Sequence, residues 1–167
     1  MGGKKTSSSS WTRLLGNRLN QLRQQRQTSS PHEPIEEKIR LAFVGVGSEL
    51  NGDDAAGLKV VRTLNEKTSG LSSVLCFESG GMLENALGPL RRFHPDGVVV
   101  IDAADFGGEP GAARLIELTE TAGFSFSTHS LPLGTICSYL SQELECPVWI
   151  LGIQPLHLDF DAPMSPE

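Results

Sequence analysis

The sequence predicts an α/β protein in which a mainly parallel sheet is covered by helices on both faces. From Ile39 onward, apolar runs rich in β-branched residues alternate with segments whose apolar residues recur at helical spacing. Several of these runs end in glycine or aspartate, as buried strands do where the chain leaves a parallel sheet. A chain of 167 residues is long enough for one such domain with its own core.

Five segments have the composition of strands. In chain order they are IRLAFVGV, SSVLCFESGG, DGVVVIDAADFGG, GAARLIEL and CPVWILGIQP. The third is the most hydrophobic and is predicted to be central, whereas the fourth is more peripheral. Ligands of such sheets gather at the carboxyl ends of the strands, and three strand ends here are acidic or rich in glycine: those after Val44, Phe77 and Ile101.

Three segments between these strands have helical patterns. They are DDAAGLKVVRTLN, MLENALGPLRRF and LPLGTICSYLSQEL. The first carries acids in its first turn, and the second is expected to be interrupted near Pro89 because proline lacks the amide hydrogen.

Residues 1–38 are predicted to be a basic, Ser-rich extension, disordered apart from a short amphipathic helix. Trp11, Leu15, Leu19 and Leu22 recur at helical spacing, and arginines lie elsewhere on that segment. The helix could contact a partner or a membrane surface, or remain solvated. The arginine and serine content also resembles a transit peptide, and MGGKKT fits the N-myristoylation pattern.

The charge distribution makes nucleic acid an improbable partner. Residues 1–30 carry six basic residues and no acid, whereas residues 31–167 hold all 20 acidic residues and have a net charge of −12. Phosphate neutralisation dominates nucleic-acid binding, so an acidic body suits cations or basic partner segments instead.

The cysteines and the hydropathy predict a location in the reducing cytoplasm. Cys76, Cys137 and Cys146 are scattered and odd in number, which argues against both a disulfide framework and a zinc ribbon. No apolar run approaches the roughly 20 residues that span a bilayer, so no membrane span is expected.

The glycine-rich loop after the first strand does not have the pattern of a nucleotide site. The dinucleotide fingerprint requires a third glycine, and Leu50 occupies that position in Gly-Val-Gly-Ser-Glu-Leu. Asp53 and Asp54 would repel a phosphate at the helix N-terminus, and no Gly-Lys-Ser/Thr sequence follows. Asp53 is well explained as a helix cap, whereas a second adjacent acid is explained less well by capping.

Three residues from different loops form a candidate site. Asp54 follows the first strand, Asp102 ends the hydrophobic run of the third, and His129 precedes the last helix. Two carboxylates and an imidazole suit a divalent metal such as Ni, Zn, Mn or Fe. The spacing alone leaves open whether they converge, and Asp105 is expected to have a structural role.

Other catalytic arrangements have less support. The sequence has no Gly-x-Ser-x-Gly elbow, and Cys76 and Cys137 lie in segments where a thiol is usually inert. A pair of aspartates that share a proton is conceivable for Asp54 and Asp102, although the Asp-Thr/Ser-Gly loops of pepsin-like enzymes are absent.

The motifs at these positions resemble those of the [NiFe]-hydrogenase maturation endopeptidases. GVGSELNGDDAAG is similar to the opening signature of that family, Gly-x-Gly-(x)n-Asp-Asp/Glu-x-x-Gly. The resemblance continues through ESGGMLEN, VVVIDAAD, THSLPL and LGIQP, and spans residues 39 to about 164. THSLPL and LGIQP look most like the branch that serves hydrogenase-3 (formate hydrogenlyase) enzymes.

This resemblance implies a fold and a reaction. The fold would be a three-layer sandwich of the phosphorylase/hydrolase type with a twisted five-stranded sheet. The reaction would be aspartic-type removal of a C-terminal extension from the hydrogenase large-subunit precursor after nickel insertion. Asp54 and Asp102 match the family's acids and His129 its histidine, and the nickel would come with the precursor. Gly80 and Gly81 would line the substrate edge.

A monomer without a nucleotide cofactor is expected. The resemblance also implies a final amphipathic helix, which family members usually place after the region where DAPMSPE lies. Two other functions remain open from the sequence. One is a non-catalytic, chaperone-like module that binds metal and recognises the nickel-loaded precursor without cutting it. The other is a small nucleotide-binding protein, which the failed glycine pattern disfavours.

Overall fold

A computed structural model of the chain describes residues 9–29, 38–123, 125–126 and 132–166. The helices in these ranges are α1 (Ser9–Ser29), α2 (Ala56–Lys67), α3 (Leu87–Phe93) and α4 (Leu133–Glu143). The strands are β1 (Leu41–Val46), β2 (Val74–Gly80), β3 (Gly97–Asp105), β4 (Ala113–Ile116), β5 (Ser125–Phe126) and β6 (Val148–Ile153). None of the described helices is long and apolar enough to cross a membrane.

The sheet has the strand order β2-β1-β3-β6-β4. Strands β2, β1, β3 and β6 run parallel to one another, and β4 pairs antiparallel with β6 at one edge. The short β5 pairs with the end of β3. The predicted class of a mainly parallel five-stranded sheet is therefore confirmed, and β3, whose first eight residues are buried, is central.

Two apolar clusters, one on each face of the sheet, make the fold three layers thick. Because side chains alternate along a strand, Val98 and Val100 of β3 pack with α3 and α4, whereas Val99 and Ile101 pack with α1 and α2. The four helices are thus divided equally between the two faces. The alternating pattern from Ile39 onward predicts helices on both faces, whereas the place of α1 in a layer was not predicted.

Helix α1 is part of the second of these layers. Its half-buried Trp11, Leu15, Leu19 and Leu22 pack against the cluster that includes Trp149. Ion pairs supplement this contact, from Arg18 to Glu117 and from Arg26 to Asp96, the latter at 3.2 Å. The apolar side of the predicted amphipathic helix is therefore the side that contacts the sheet. The rest of the predicted extension, apart from Lys38, lies outside the described residues.

Two helix starts differ in detail from the prediction. Asp53 and Asp54 lie not in α2 but in a single 3₁₀ turn before it, Gly52–Ala55. Pro89 does not interrupt α3 but lies in its first turn, after a second 3₁₀ turn at Leu83–Ala86. Proline is tolerated there because an amide hydrogen in the first turn has no partner within the helix.

Candidate active site

Two buried aspartates lie at the carboxyl edge of the sheet. Strands β1 and β3 are parallel neighbours, so the segments that follow them meet at one edge. The 3₁₀ turn after β1 places Asp54 there, and this turn contacts β3. Asp102 lies within β3, three residues before its end, opposite Gly152 of β6. Asp54 is 4% exposed and Asp102 is completely buried.

Glycines allow the turn with Asp54 to approach the strands closely. A Cβ on Gly57 would lie 2.2 Å from the carbonyl oxygen of Ile101 and 2.5 Å from that of Val46. Gly47 has a φ of +136°, and a Cβ there would lie 1.8 Å from the Asp54 carbonyl oxygen. Glycine is the residue that permits both the positive φ and these backbone contacts. The loop after β1 is therefore rich in glycine because its backbone and the start of α2 pack closely against other backbone atoms.

The carboxylate of Asp54 is buried without full compensation from its surroundings. Its Oδ1 has no hydrogen-bond partner among the residues that the structure describes. Buried polar atoms are usually paired, and an unpaired carboxylate oxygen carries a large desolvation cost. Such an oxygen is suited to contact a cation or a hydrogen-bond donor supplied by a ligand.

The side chain of Asp102 lies on the sheet face that packs against α4. Burial raises the pKa of the Cys137 thiol to about 12, and the nearby charge of Asp102 adds to this rise. A thiol with so high a pKa is protonated at neutral pH and is a poor nucleophile. The expectation that Cys137 is inert therefore agrees with its surroundings, and a role for the Asp102 carboxylate stays a prediction.

Asp53, next to Asp54, has a different environment. It was expected to cap α2, but its carboxylate makes no cap hydrogen bond and instead binds the C-terminal segment of the chain. Oδ2 accepts hydrogen bonds from the backbone N–H groups of Leu156 (2.7 Å) and His157 (3.3 Å), and Oδ1 accepts one from Ser165 (2.7 Å). Burial alone would raise the pKa of Asp53, but these hydrogen bonds outweigh it and hold the pKa below 3.8.

We expect Asp53→Asn to lower the free energy of unfolding by about 2 kcal/mol at pH 7, because hydrogen bonds to a charged acceptor are each worth ~1.5–3 kcal/mol. A carboxyl whose pKa is lower in the folded chain stabilises the fold above its unfolded pKa, and this stabilisation is lost as the pH falls through the folded value. The deficit of the variant should therefore shrink below about pH 4. Urea unfolding at pH 7 and pH 3 measures it, and an equal deficit at both would contradict a role for the charge.

A residue absent from the sequence prediction, Gln154, holds the loop after β3. Its Oε1 accepts hydrogen bonds from the backbone N–H groups of Phe106 (2.9 Å) and Gly108 (3.1 Å), and its Nε2 donates to Asp105 (3.1 Å). Hydrogen bonds from Gly107 and Gln154 lower the pKa of Asp105, which thus has the structural surroundings expected of it. The sequence feature that could have indicated this role is the position of Gln154, directly after a buried strand and before a proline.

A groove of about 380 Å³ begins beside the loop that contacts Asp54. It is lined by Gly47, Ser48, Glu49, Leu58, Arg62, Glu78, Gly80 and Gly81. Nη2 of Arg62 donates to Glu78 (2.6 Å) and to Glu49 (2.9 Å), and these two carboxylates raise the pKa of the guanidinium. A Cβ on Gly80 or Gly81 would meet no atom of the described residues within 4 Å, so these residues leave the backbone there open to a ligand.

The third predicted site residue, His129, lies outside the described residues and stays a prediction. Within the described ranges, no group of three or more His, Cys, Asp or Glu side chains could hold a metal ion. The geometry of the site thus rests on Asp54, Asp102 and the adjoining groove.

The fold and the candidate site together define a class: three-layer α/β proteins that carry buried carboxylates at the carboxyl ends of parallel strands. A family model described as HycI, hydrogenase maturation protease, matches residues 58–167. The hydrogenase 3 maturation protease of Escherichia coli K12 is 31% identical over 121 residues, which is 72% of this chain and 76% of that protein. This chain therefore belongs to the hydrogenase maturation protease family, as its motifs indicated.

Solved structures agree with this assignment. The crystal structure of the [NiFe] hydrogenase maturation protease HycI from Thermococcus kodakarensis is 33% identical and has a TM-score of 0.68. The match covers 78% of this chain and 83% of that one. The solution structure of the endopeptidase HycI from Escherichia coli is 29% identical with a TM-score of 0.62, covering 77% and 81%.

Proposed function

We propose that this protein is an endopeptidase that removes a C-terminal extension from the large-subunit precursor of a [NiFe] hydrogenase after nickel has been inserted. Its membership of the maturation protease family supports the reaction. The observation that carries the proposal is the buried Oδ1 of Asp54, which has no hydrogen-bond partner among the described residues and lies at the edge where α/β proteins bind ligands.

In this proposal, Asp54 and Asp102 contact nickel that the precursor already holds, and His129 completes the set. The nickel is part of the substrate and is not a resident cofactor. Carboxylate and imidazole groups are suitable ligands for such a divalent ion. Contact with a metal held close to the scissile bond would position that bond at the site, which lowers the entropic cost of reaction.

Hydrolysis then follows an aspartic-type route. A carboxylate of this pair takes a proton from water, and the water oxygen forms a bond to the scissile carbonyl carbon. The C–N bond breaks, and the proton passes to the departing amine. The open backbone at Gly80 and Gly81 lets the precursor chain lie in the groove beside Asp54.

The test compares nickel-loaded and nickel-free precursor incubated with the protein, with the products weighed by mass spectrometry. We expect loss of a C-terminal peptide only from the nickel-loaded precursor, and a rate at least ~100-fold lower with Asp102→Asn because general-base catalysis contributes ~10²–10⁴-fold. Cleavage that is independent of nickel would contradict the recognition step. Binding of the nickel-loaded precursor without any cleavage would instead identify a chaperone-like module.

A further inference from the structure

Exposed apolar side chains are concentrated beside Asp54. The described part of the chain has eight large hydrophobic side chains that are exposed. Four of them lie on two segments that a backbone hydrogen bond from Asp161 to Leu50 joins, and we call these four the apolar edge: Leu50, Leu156, Leu158 and Phe160. Phe160 is 77% exposed. Single exposed apolar residues are ordinary, whereas a cluster of large ones commonly marks an interaction site.

The apolar edge belongs to an ordered part of the fold. Three of its residues lie on residues 155–166, the strap, which crosses the loop and turn between β1 and α2. Backbone hydrogen bonds join Asp53 to His157 (3.1 Å), Gly52 to Ala162 (3.1 Å) and Asp161 to Leu50 (2.6 Å).

The side chain of Asp53 adds three further hydrogen bonds to the strap, those from Leu156, His157 and Ser165. The strap is therefore fixed to the same 3₁₀ turn that carries Asp54. A surface ordered before binding loses less entropy when a partner binds.

Two exposed acidic residues of the strap alternate with its apolar side chains. Asp159 is 83% exposed and Asp161 is exposed as well, whereas Glu49, next to Leu50, is already paired with Arg62. The strap contains no lysine or arginine. A complementary partner therefore presents apolar side chains flanked by basic ones, because opposite charges steer association and fix the orientation of a complex.

We propose that the apolar edge is the surface on which the hydrogenase large-subunit precursor docks, through an apolar segment flanked by lysine or arginine. This inference rests on the proposed function, because the strap is hydrogen-bonded to the 3₁₀ turn that carries Asp54 and therefore lies next to the place where that function puts the scissile bond. The precursor would bind through the strap, away from the reacting atoms. The site at Asp54 would then cleave the part of the precursor that this binding places beside it.

The test uses two double variants that remove similar apolar groups from different places. Leu158→Ser with Phe160→Ser changes the apolar edge, and Leu71→Ser with Tyr139→Ser changes two side chains, each about half exposed, that lie outside it. With nickel-loaded precursor, we expect the first variant to raise KM about tenfold or more at nearly unchanged kcat, as the loss of central interface contacts does. The second should leave both constants within about twofold of the wild type, and thermal melting should show both variants folded.

A further pair of substitutions tests the charges. Asp161 has a φ of +58°, which asparagine tolerates, so Asp159→Asn with Asp161→Asn is compatible with the backbone. We expect this variant to associate more slowly with the precursor at low salt and to depend less on ionic strength.

The outcomes separate this inference from the proposed function. If the wild type processes the precursor and the variant of the apolar edge has the same KM as the control variant, the docking surface is wrong and the proposed function stands. If the wild type cleaves no precursor, the proposed function is wrong. If sedimentation shows that the wild type self-associates and the variant of the apolar edge does not, the surface binds a second copy of the chain, which overturns the inference.

Discussion

Replacing Asp54 by Asn is expected to abolish precursor processing while leaving the protein at least as stable as the wild type. The Oδ1 atom of Asp54 is buried without a hydrogen-bond partner among the described residues, so the carboxylate has a desolvation cost that the described structure does not offset. Asparagine has nearly the same size and no charge, so this substitution reduces the desolvation cost without leaving a cavity. Sites that bind ligands commonly retain destabilising groups of this kind.

Processing rates and urea unfolding together measure this effect. We expect a rate at least ~100-fold lower for Asp54→Asn, in the range for loss of a catalytic base or metal contact, with a free energy of unfolding that is unchanged or up to ~1 kcal/mol higher. Asp105→Asn is the matched control, because Asp105 lies at the same edge but is exposed and bonded to Gly107 and Gln154. Full activity of the Asp54 variant would exclude Asp54 from the site, and a large loss of stability would make its role structural.

Replacing Gly57 by Val is expected to destabilise the fold by about 3 kcal/mol or more, at the upper end of overpacking effects. The new Cβ would lie 2.2 Å from the Ile101 carbonyl oxygen and 2.5 Å from that of Val46, and neither is a flexible side chain. The start of α2 must therefore move away from β1 and β3, and Asp54 must move with it. We expect processing to fall even under conditions where the variant remains folded.

A second helical glycine provides the control for Gly57→Val. A Cβ on Gly88 of α3 would meet only the end of the Arg92 side chain, at 3.6 Å, which is an ordinary contact. Gly88→Ala should therefore keep or raise the stability by up to ~1 kcal/mol, since alanine favours helix more than glycine does. Urea unfolding of both variants gives the comparison, and a similar small effect at the two positions would contradict the close packing at Gly57.

Most of the sheet could be predicted from the sequence because buried strands of a parallel sheet have a strong local signal. The run at residues 97–105 is apolar and β-branched on both faces, and it is the central strand that this composition indicates. The helix of residues 9–29 was predicted less completely. Spacing identified its apolar side, but Trp149 of the surface that this side contacts lies more than 100 residues away in the chain.

The details of the site depended on contacts that local patterns do not contain. A helix-capping role for Asp53 was a sound expectation from the neighbouring sequence, yet the partners of its carboxylate are backbone groups of the strap. Gln154 was missed for the same reason, since the loop that it holds begins 48 residues earlier in the chain. Gly57 reveals its role only through the two carbonyl oxygens that face it.

The sequence by itself determined the class of fold, the family motifs, and the presence of Asp53, Asp54 and Asp102 near strand ends. It could do so because strand composition and turn residues are properties of neighbouring positions. The sequence already favoured Asp54 over Asp53 for the site, but only the tertiary structure shows the surroundings of the two carboxylates. Asp53 is bonded to the strap, and Asp54 has a buried carboxylate oxygen with no hydrogen-bond partner in the described ranges. Both facts depend on which distant segments fold against the turn. The helical or strand spacing of neighbouring residues does not predict those contacts.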